Sequence, residues 1–416
     1  MTASTLSLAF IFFIVLSTAI RLWLNFRQVA HVQAHRAAVP AEFAARIELA
    51  AHQKAADYTV AKSRYGRIDL VLGLIWLLLL TFGGGLQLMH EFLGNYLDPH
   101  SLWHGIALFG LLSALGFIWE LPGSLYYTFV LEEKFGFNKT TLATFITDIV
   151  KSSAISILIG APLLWLVLWL IRSMGGNWWL WTWGVLIAFN LAAMVIYPIF
   201  IAPLFNKFEP LKDEALATRI NALLTRCGFK SKGLFVMDGS KRSAHGNAYF
   251  TGFGAAKRIV FFDTLLATLT PEEVEAVLAH ELGHFKHRHI WQRVALFAVL
   301  SLALFAVLGG LSQQSAFYNG LGVQAQSEAL ALILFSLLLP VVTFPFTPLM
   351  SFWSRKHEFE ADAYAVANAQ ASDLVSALAK LYRDNASTLT PDPLHSLFYD
   401  SHPPAAIRIG RLQAAA

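Results

Sequence analysis

Long apolar runs dominate the chain and alternate with shorter polar stretches. Each run is close to the roughly 20 residues that an α-helix needs to span the hydrocarbon core of a bilayer. Together they predict about seven transmembrane helices, near residues 5–25, 69–90, 102–123, 150–172, 178–204, 293–311 and 329–352. The first run lacks both a basic start and a small-residue cleavage site, so we expect a retained span rather than a signal peptide. The pattern predicts a predominantly α-helical integral membrane protein.

A polar segment of about 85 residues separates the fifth run from the sixth. LKDEALATRINALLTRCGF has helical spacing, whereas GLFVMD, GNAYFTGFG and KRIVFFDTLL are typical of short strands. A helix should then begin with Thr270 as N-cap, Pro271 in the first position and acidic residues in the first turn, and continue unbroken into the sixth span. We predict a membrane domain of five spans (1–204) and a second, α+β domain (205–416) that includes the last two spans.

Composition supports a membrane protein, and the distribution of charge predicts how it is oriented in the membrane. The chain is 56% hydrophobic and only 14% charged, whereas soluble domains average about 25% charged residues. Lys and Arg concentrate in alternate connections, which places 27–67, 124–149, 205–292 and 353–416 in the cytoplasm and the N-terminus outside. The net charge of +4 reflects these connections and requires no nucleic-acid partner. The single cysteine, Cys227, excludes an internal disulfide and a cysteine-based metal site.

A metal-binding pattern stands just before the sixth span, in AHELGHFKHRH. His280 and His284 are four residues apart, so on a helix they lie about 40° apart on one face and can reach a single ion. Glu281, beside the first of them, can take a proton from water that the metal activates. The motif predicts a zinc site with Glu281 as general base.

A third ligand is expected after the seventh span, because catalytic zinc takes three protein ligands. SRKHEFEADAYA contains Glu358 and Asp362 at helical spacing. Glu358 is the candidate ligand, and Asp362 can accept a hydrogen bond that orients a ligating histidine. At about 1.5 Å per residue, His284 and Glu358 both lie roughly 10 Å outside the hydrocarbon on the same side. The two ligand sets can therefore meet at one depth.

The other histidines of these motifs have different expected roles. His287 lies about 10 Å further along the helix than His280 and cannot join the same ligand set. We expect His287 and His289 to be polar residues at the membrane interface, beside the positive anchors Lys286 and Arg288. His357 should point away from the ligand face of its helix.

Five segments, in this order, resemble the type I CAAX prenyl proteases: VLEEKFGFNKTT, HGNAYFTGFGAAKRIVFFDTLL, LAHELGHFKH, SRKHEFEAD and DPLHSLFYDSHPP. Members of that family are seven-span zinc metalloendopeptidases of the gluzincin group, and the resemblance runs from about residue 60 to 410. It implies one Zn²⁺ per chain, a cytoplasmic gluzincin-type protease domain, His280, His284 and Glu358 as ligands, and Glu281 as general base.

The resemblance also implies roles outside the metal motifs. Asn247, Ala248 and Tyr249 match an edge strand that holds an extended peptide by main-chain hydrogen bonds. His402 matches a histidine that donates to the developing oxyanion, and Arg408 matches an arginine near the same site. The function of the segment between Glu132 and Lys139 does not follow from its chemistry.

The expected reaction is hydrolysis of peptide bonds in CAAX-type or related substrates by zinc-activated water. Expected partners are a peptide or protein substrate, with or without a lipid, and membrane lipids. A compact sixth connection and an Ala-rich end without a retention signal favour a bacterial inner membrane, or the endoplasmic reticulum if the source is eukaryotic. Two alternatives remain open: a non-catalytic scaffold or transporter with a structural zinc site, and a site-2-type intramembrane protease. HELGHFKHRH is too polar for the membrane centre that the second requires.

Overall fold

The computed structural model describes residues 2–251 and 258–415. The α-helices in chain order are α1 (Ala3–Ala34), α2 (Leu49–Leu80), α3 (Gly85–Gly94), α4 (Leu102–Tyr126), α5 (Leu142–Ser173), α6 (Trp178–Ile196), α7 (Ala202–Phe205), α8 (Glu214–Arg226), α9 (Asp263–Leu266), α10 (Pro271–Lys286), α11 (His289–Leu311), α12 (Ser315–Asn319), α13 (Glu328–Thr343), α14 (Thr347–Asn368), α15 (Ala371–Asp384), α16 (Pro393–Tyr399) and α17 (Ala405–Ala415). The strands are β1 (Phe208–Pro210), β2 (Leu234–Met237), β3 (Ala248–Thr251) and β4 (Arg258–Phe262).

The apolar runs form long helices, as predicted. Within the described residues, six helices are long and apolar enough to cross a membrane, or seven if the bent pair of α2 and α3 forms one span. Leu8, Ile157 and Leu158 on these helices expose 68%, 69% and 75% of their surface. Exposed apolar surface on helices of this length and hydropathy is typical of contact with lipid, so the chain is an integral membrane protein.

One predicted span is bent at a break, and the last one changes its helix type part-way. The run at 69–90 bends by 50° between α2 and α3, where Gly84 adopts a left-handed conformation with φ of 73°. In the last run, a short 3-10 helix, Phe344–Phe346, joins α13 to α14. This 3-10 helix contains a proline, which lacks the backbone N–H of a regular α-helical hydrogen bond.

The strands form one mixed sheet in the order β1-β2-β4-β3 among the described residues. β4 pairs parallel with β2 and antiparallel with β3, which leaves β3 at the edge. The segment DTLL, predicted as the end of a strand, is instead helix α9. Residues 252–257, the end of the predicted GNAYFTGFG strand and the start of KRIVFFDTLL, lie outside the described residues.

Helix α10 begins as predicted but does not continue into the sixth span. Thr270 and Glu273 form a reciprocal capping box, with Pro271 in the first turn. The helix ends at Lys286, and Arg288 adopts a left-handed φ of 58° before α11 begins at His289. A non-glycine residue in this region is uncommon, and the break redirects the chain immediately after the histidine motif.

A buried apolar core holds α10 in place. Buried apolar residues of α8, β4, α10, α15 and α17 form one cluster, which includes Ile220, Phe261, Leu278, Leu378 and Ile409. A separate cluster joins α1, α3, α4 and α13 within the membrane helices.

Candidate metal centre

Helices α10 and α14 pack against each other at very short range. A Cβ atom on Gly283 would lie 2.8 Å from the Cα of Ala361 and 3.1 Å from its carbonyl oxygen. Only glycine permits this approach without moving the backbone. Gly283 lies inside the HExxH motif on α10 and Ala361 between Glu358 and Asp362 on α14, so the close contact brings the two motifs together.

The three candidate ligands meet at this contact. The Nε2 atom of His280 lies 3.4 Å from Oε2 of Glu358, and Nε2 of His284 lies 3.4 Å from Oε1 of the same carboxylate. Donor atoms about 2.1 Å from a tetrahedral zinc ion are separated by about 3.4 Å. Oε2 of Glu358 is buried and has no hydrogen-bond partner among the described residues. The donor set therefore fits a zinc ion in both its chemistry and its spacing.

A buried carboxylate supports the first of these histidines. Oδ1 of Asp362 lies 2.8 Å from Nδ1 of His280. Arg408 donates to both oxygens of Asp362, over 2.9 and 2.6 Å, and its Nη1 lies 3.9 Å from Glu358. Asp362 and Arg408 are 5% exposed each. The predicted partner of His280 thus has the expected contact, and Arg408 lies behind the ligands with its guanidinium bound to Asp362.

Burial and neighbouring charges shift the pKa values of the α10 side chains in different directions. Burial opposes a charge on His280, but the carboxylates of Asp362 and Glu358 outweigh it and raise the pKa of His280 to about 9. Burial and the neighbouring His280 lower the pKa of His284 to about 3, which leaves its ring neutral and able to bind a metal. Burial also raises the pKa of Glu281, as suits a carboxylate that takes and returns a proton.

A cavity of about 440 Å³ opens beside these groups. Its lining includes His280, Glu281 and His402 together with Asn247 and Ala248 of the predicted substrate strand. Nε2 of His402 lies 3.5 Å from Oε2 of Glu358, and 60% of the His402 side chain is exposed. Tyr249 follows in β3, whose outer edge is unpaired among the described residues. The cavity therefore joins the metal ligands to an available sheet edge.

The segment between Glu132 and Lys139, for which the sequence suggested no function, contacts the approach to this strand. The backbone N–H of Lys139 donates to the carbonyl of Arg242, and that of Ala244 donates to the carbonyl of Phe137, both over 3.1 Å. These bonds hold the chain that leads into β3. The partners lie more than 100 residues apart in sequence, so local spacing carries no signal for the contact.

The expected role of His289 is wrong, whereas His357 lies outside the candidate ligand set of His280, His284 and Glu358, as expected. His289 is 1% exposed and His357 is 2% exposed, and their rings stack with centroids 3.9 Å apart and planes 6° apart. His289 is therefore not an interfacial residue, because the helix break at Arg288 turns it inward. Lys286, His287 and Arg288 are exposed, as anchors at an interface would be.

Sequence profiles of two families together cover nearly the whole chain. Residues 28–207 match the family described as CAAX prenyl protease N-terminal, five membrane helices. Residues 210–416 match peptidase family M48.

Curated proteins and a solved structure are similar over most of their length. The CAAX prenyl protease 1 of Saccharomyces cerevisiae is 39% identical over 323 residues, which cover 74% of this chain and 71% of that protein. The homolog from Homo sapiens is 36% identical over 336 residues, 70% of each chain. The crystal structure of S. mikatae Ste24p matches with a TM-score of 0.91 at 33% identity and covers 98% of this chain and 99% of its own.

Proposed function

Because this chain belongs to the CAAX prenyl protease family of M48 peptidases, and is a membrane metalloprotease, we propose that it cleaves peptide bonds with one Zn²⁺ ion per chain. The observation that carries the proposal is the spacing of His280, His284 and Glu358. Two donor separations of 3.4 Å match those around a tetrahedral zinc ion of about 2.1 Å bond length. The comparisons do not favour a scaffold, a transporter or a site-2-type protease.

The side chains around the ligands have complementary tasks in this proposal. Zinc, when bound, polarises the scissile carbonyl and lowers the pKa of the attacking water. Glu281 lines the cavity beside the ligands; it takes the proton from the water and returns it to the leaving amine. His402, exposed at the cavity and 3.5 Å from Glu358, donates to the oxygen on which negative charge develops.

The substrate lies along β3 in an extended conformation. Asn247 and Ala248 line the cavity that contains Glu281, and the strand edge offers backbone N–H and C=O groups to a peptide of any sequence. Arg408 supports this site from behind through its two bonds to Asp362. The names of the relatives favour a CAAX-type peptide as substrate, with or without its prenyl group.

We place the protease domain in the cytoplasm, at a bacterial inner membrane or, in a eukaryotic cell, at the endoplasmic reticulum. The alternation of basic connections supports this orientation. It can be tested with a Lys230→Cys reporter in a Cys227→Ala background, since Lys230 is exposed on the second domain. An impermeant maleimide should label the reporter only from the cytoplasmic side. Labelling of the reporter in intact cells would indicate the opposite orientation.

The proposed activity is tested with full-length protein in lipid nanodiscs and a quenched CAAX-type peptide, prepared with and without a prenyl group. We expect one zinc ion per chain, cleavage that stops when a chelator removes the ion, and recovery when Zn²⁺ is returned. Cleavage that persists after zinc has been removed would refute the metal-dependent mechanism. Stoichiometric zinc without cleavage of either peptide would instead favour a structural site.

A further inference from the structure

We propose that His289 and Glu360 position the zinc ligand His284 through a chain of two hydrogen bonds. Nδ1 of His284 lies 2.9 Å from Nδ1 of His289, and Nε2 of His289 lies 2.9 Å from Oε2 of Glu360. The proposal rests on the proposed zinc site. It assigns a function to His289, which is not itself a candidate ligand but contacts the ligand His284.

The geometry permits one consistent arrangement of protons. His284 presents Nε2 toward Glu358, so as a neutral metal ligand it carries its hydrogen on Nδ1. That N–H donates to the lone pair on Nδ1 of His289. The hydrogen of His289 is then on Nε2 and donates to the carboxylate of Glu360. Each ring nitrogen has one role, and the negative end of the chain is a carboxylate, as is usual behind a metal-bound imidazole.

The break between α10 and α11 makes this contact available. Residues five apart on a continuous helix point about 140° away from each other, so His284 and His289 could not face one another there. The left-handed conformation of Arg288 interrupts the helix and brings the rings to a centroid distance of 5.1 Å. His289 is then held by the stacked ring of His357, whose Nε2 lies 3.2 Å from Oε1 of Gln292.

His289, His357 and Glu360 could also be considered as a second metal site, since their donor atoms lie within 4.8 Å of one another. The distances favour the hydrogen-bonded chain. His289 and Glu360 are separated by 2.9 Å, the length of a charge-assisted hydrogen bond, whereas ligands of one tetrahedral zinc ion are about 3.4 Å apart. In addition, both nitrogens of His289 already face His284 and Glu360.

The two ligating histidines therefore have different supports. His280 contacts Asp362 directly, over 2.8 Å, whereas His284 reaches Glu360 through an intervening imidazole. Removing the intervening ring nitrogens should loosen His284 without touching the three ligands themselves. Loss of such a support typically lowers metal affinity about 10- to 100-fold.

The test measures zinc affinity by chelator competition and the visible absorption spectrum of the Co²⁺-substituted full-length protein. We expect His289→Phe, which keeps an aromatic ring for the stack, to lower zinc affinity about 10- to 100-fold and to alter the cobalt spectrum. In His289→Asn the amide oxygen can accept the bond from His284, so affinity and spectrum should return toward those of the wild type. Glu360→Gln, a change at a partly exposed side chain, should give a smaller loss in the same direction. Lys286→Ala, the control at an exposed residue of the same segment, should behave as wild type.

The outcomes separate this proposal from the zinc site on which it rests. Wild-type protein that binds zinc, with unchanged affinity and spectrum in His289→Phe and Glu360→Gln, would overturn the positioning chain alone. Two zinc ions in the wild type, with one lost in His289→Phe, would make His289 a ligand and also overturn it. A wild-type protein that binds no zinc would overturn both the proposed function and the proposed chain of hydrogen bonds.

Discussion

A methyl group added at Gly283 should damage the zinc site without changing any ligand. In Gly283→Ala the new Cβ would lie 2.8 Å from the Cα of Ala361 and 3.1 Å from the Cβ of Tyr364. Carbon atoms in good contact are about 3.5–4.0 Å apart. Relief therefore requires α14 to move away from α10 by roughly 0.7 Å or more at this point.

That movement is large on the scale of a metal site. Glu358 precedes Ala361 on α14 by one turn, so it moves with the helix, whereas His280 and His284 remain on α10. Metal–ligand distances tolerate deviations of only about 0.2 Å. We expect zinc affinity to fall about tenfold or more, as when a ligand loses its support, and the packing strain to cost about 1–3 kcal/mol of stability.

Zinc affinity by chelator competition and the thermal unfolding midpoint measure the two effects. Gly410→Ala is the matched control, because nothing lies within 4 Å of a Cβ at this helical glycine; it should leave zinc affinity unchanged and stability equal or higher. If Gly283→Ala binds zinc as tightly as the wild type, the close approach of α10 and α14 does not determine the ligand spacing.

Three further outcomes are expected. Burial would raise the pKa of Glu273, but hydrogen bonds from Lys380, Ser376 and Thr270 lower it overall. The charge of Glu273 therefore stabilises the fold above about pH 4.5, and this contribution is lost as the pH falls through the lowered pKa. Glu273→Gln should therefore lower the unfolding midpoint at pH 7 but not at strongly acidic pH; an equal loss at both would contradict this reasoning. His402→Ala should lower kcat about 10²- to 10³-fold with zinc content unchanged, whereas loss of the zinc would instead identify His402 as a ligand. A substrate peptide N-methylated where it pairs with β3 should lose most of its cleavage, and full cleavage would argue against strand addition.

The sequence predicts the membrane helices well because burial in lipid requires long apolar runs and little else. The start of α10 is predicted equally well, since Thr270, Pro271 and Glu273 are local signals for a helix N-terminus. The pairing of His280 and His284 with Glu358 could be proposed because helical spacing and membrane depth restrict where these side chains can lie. Their geometry in the structure is compatible with the zinc site, and the chemistry stays a prediction.

The features that the sequence did not reveal depend on contacts between distant segments. No glycine or proline marks the break at Arg288, whose conformation is left-handed, and the residue that follows, His289, packs against His357, about 70 residues away. A helical wheel drawn through a continuous helix therefore placed His289 on the wrong side. The backbone hydrogen bonds of Phe137 and Lys139 with the segment before β3 likewise cannot be predicted from local sequence patterns.

The central claim is that Glu281 acts as a base beside a zinc ion held by His280, His284 and Glu358. Its most direct test is Glu281→Gln, a change that keeps the side-chain shape and removes only the ability to accept the proton. Zinc content and peptide cleavage are measured on the same preparation. We expect one zinc ion per chain and cleavage slower by about 10²- to 10⁴-fold. Wild-type cleavage in this variant would contradict the assignment.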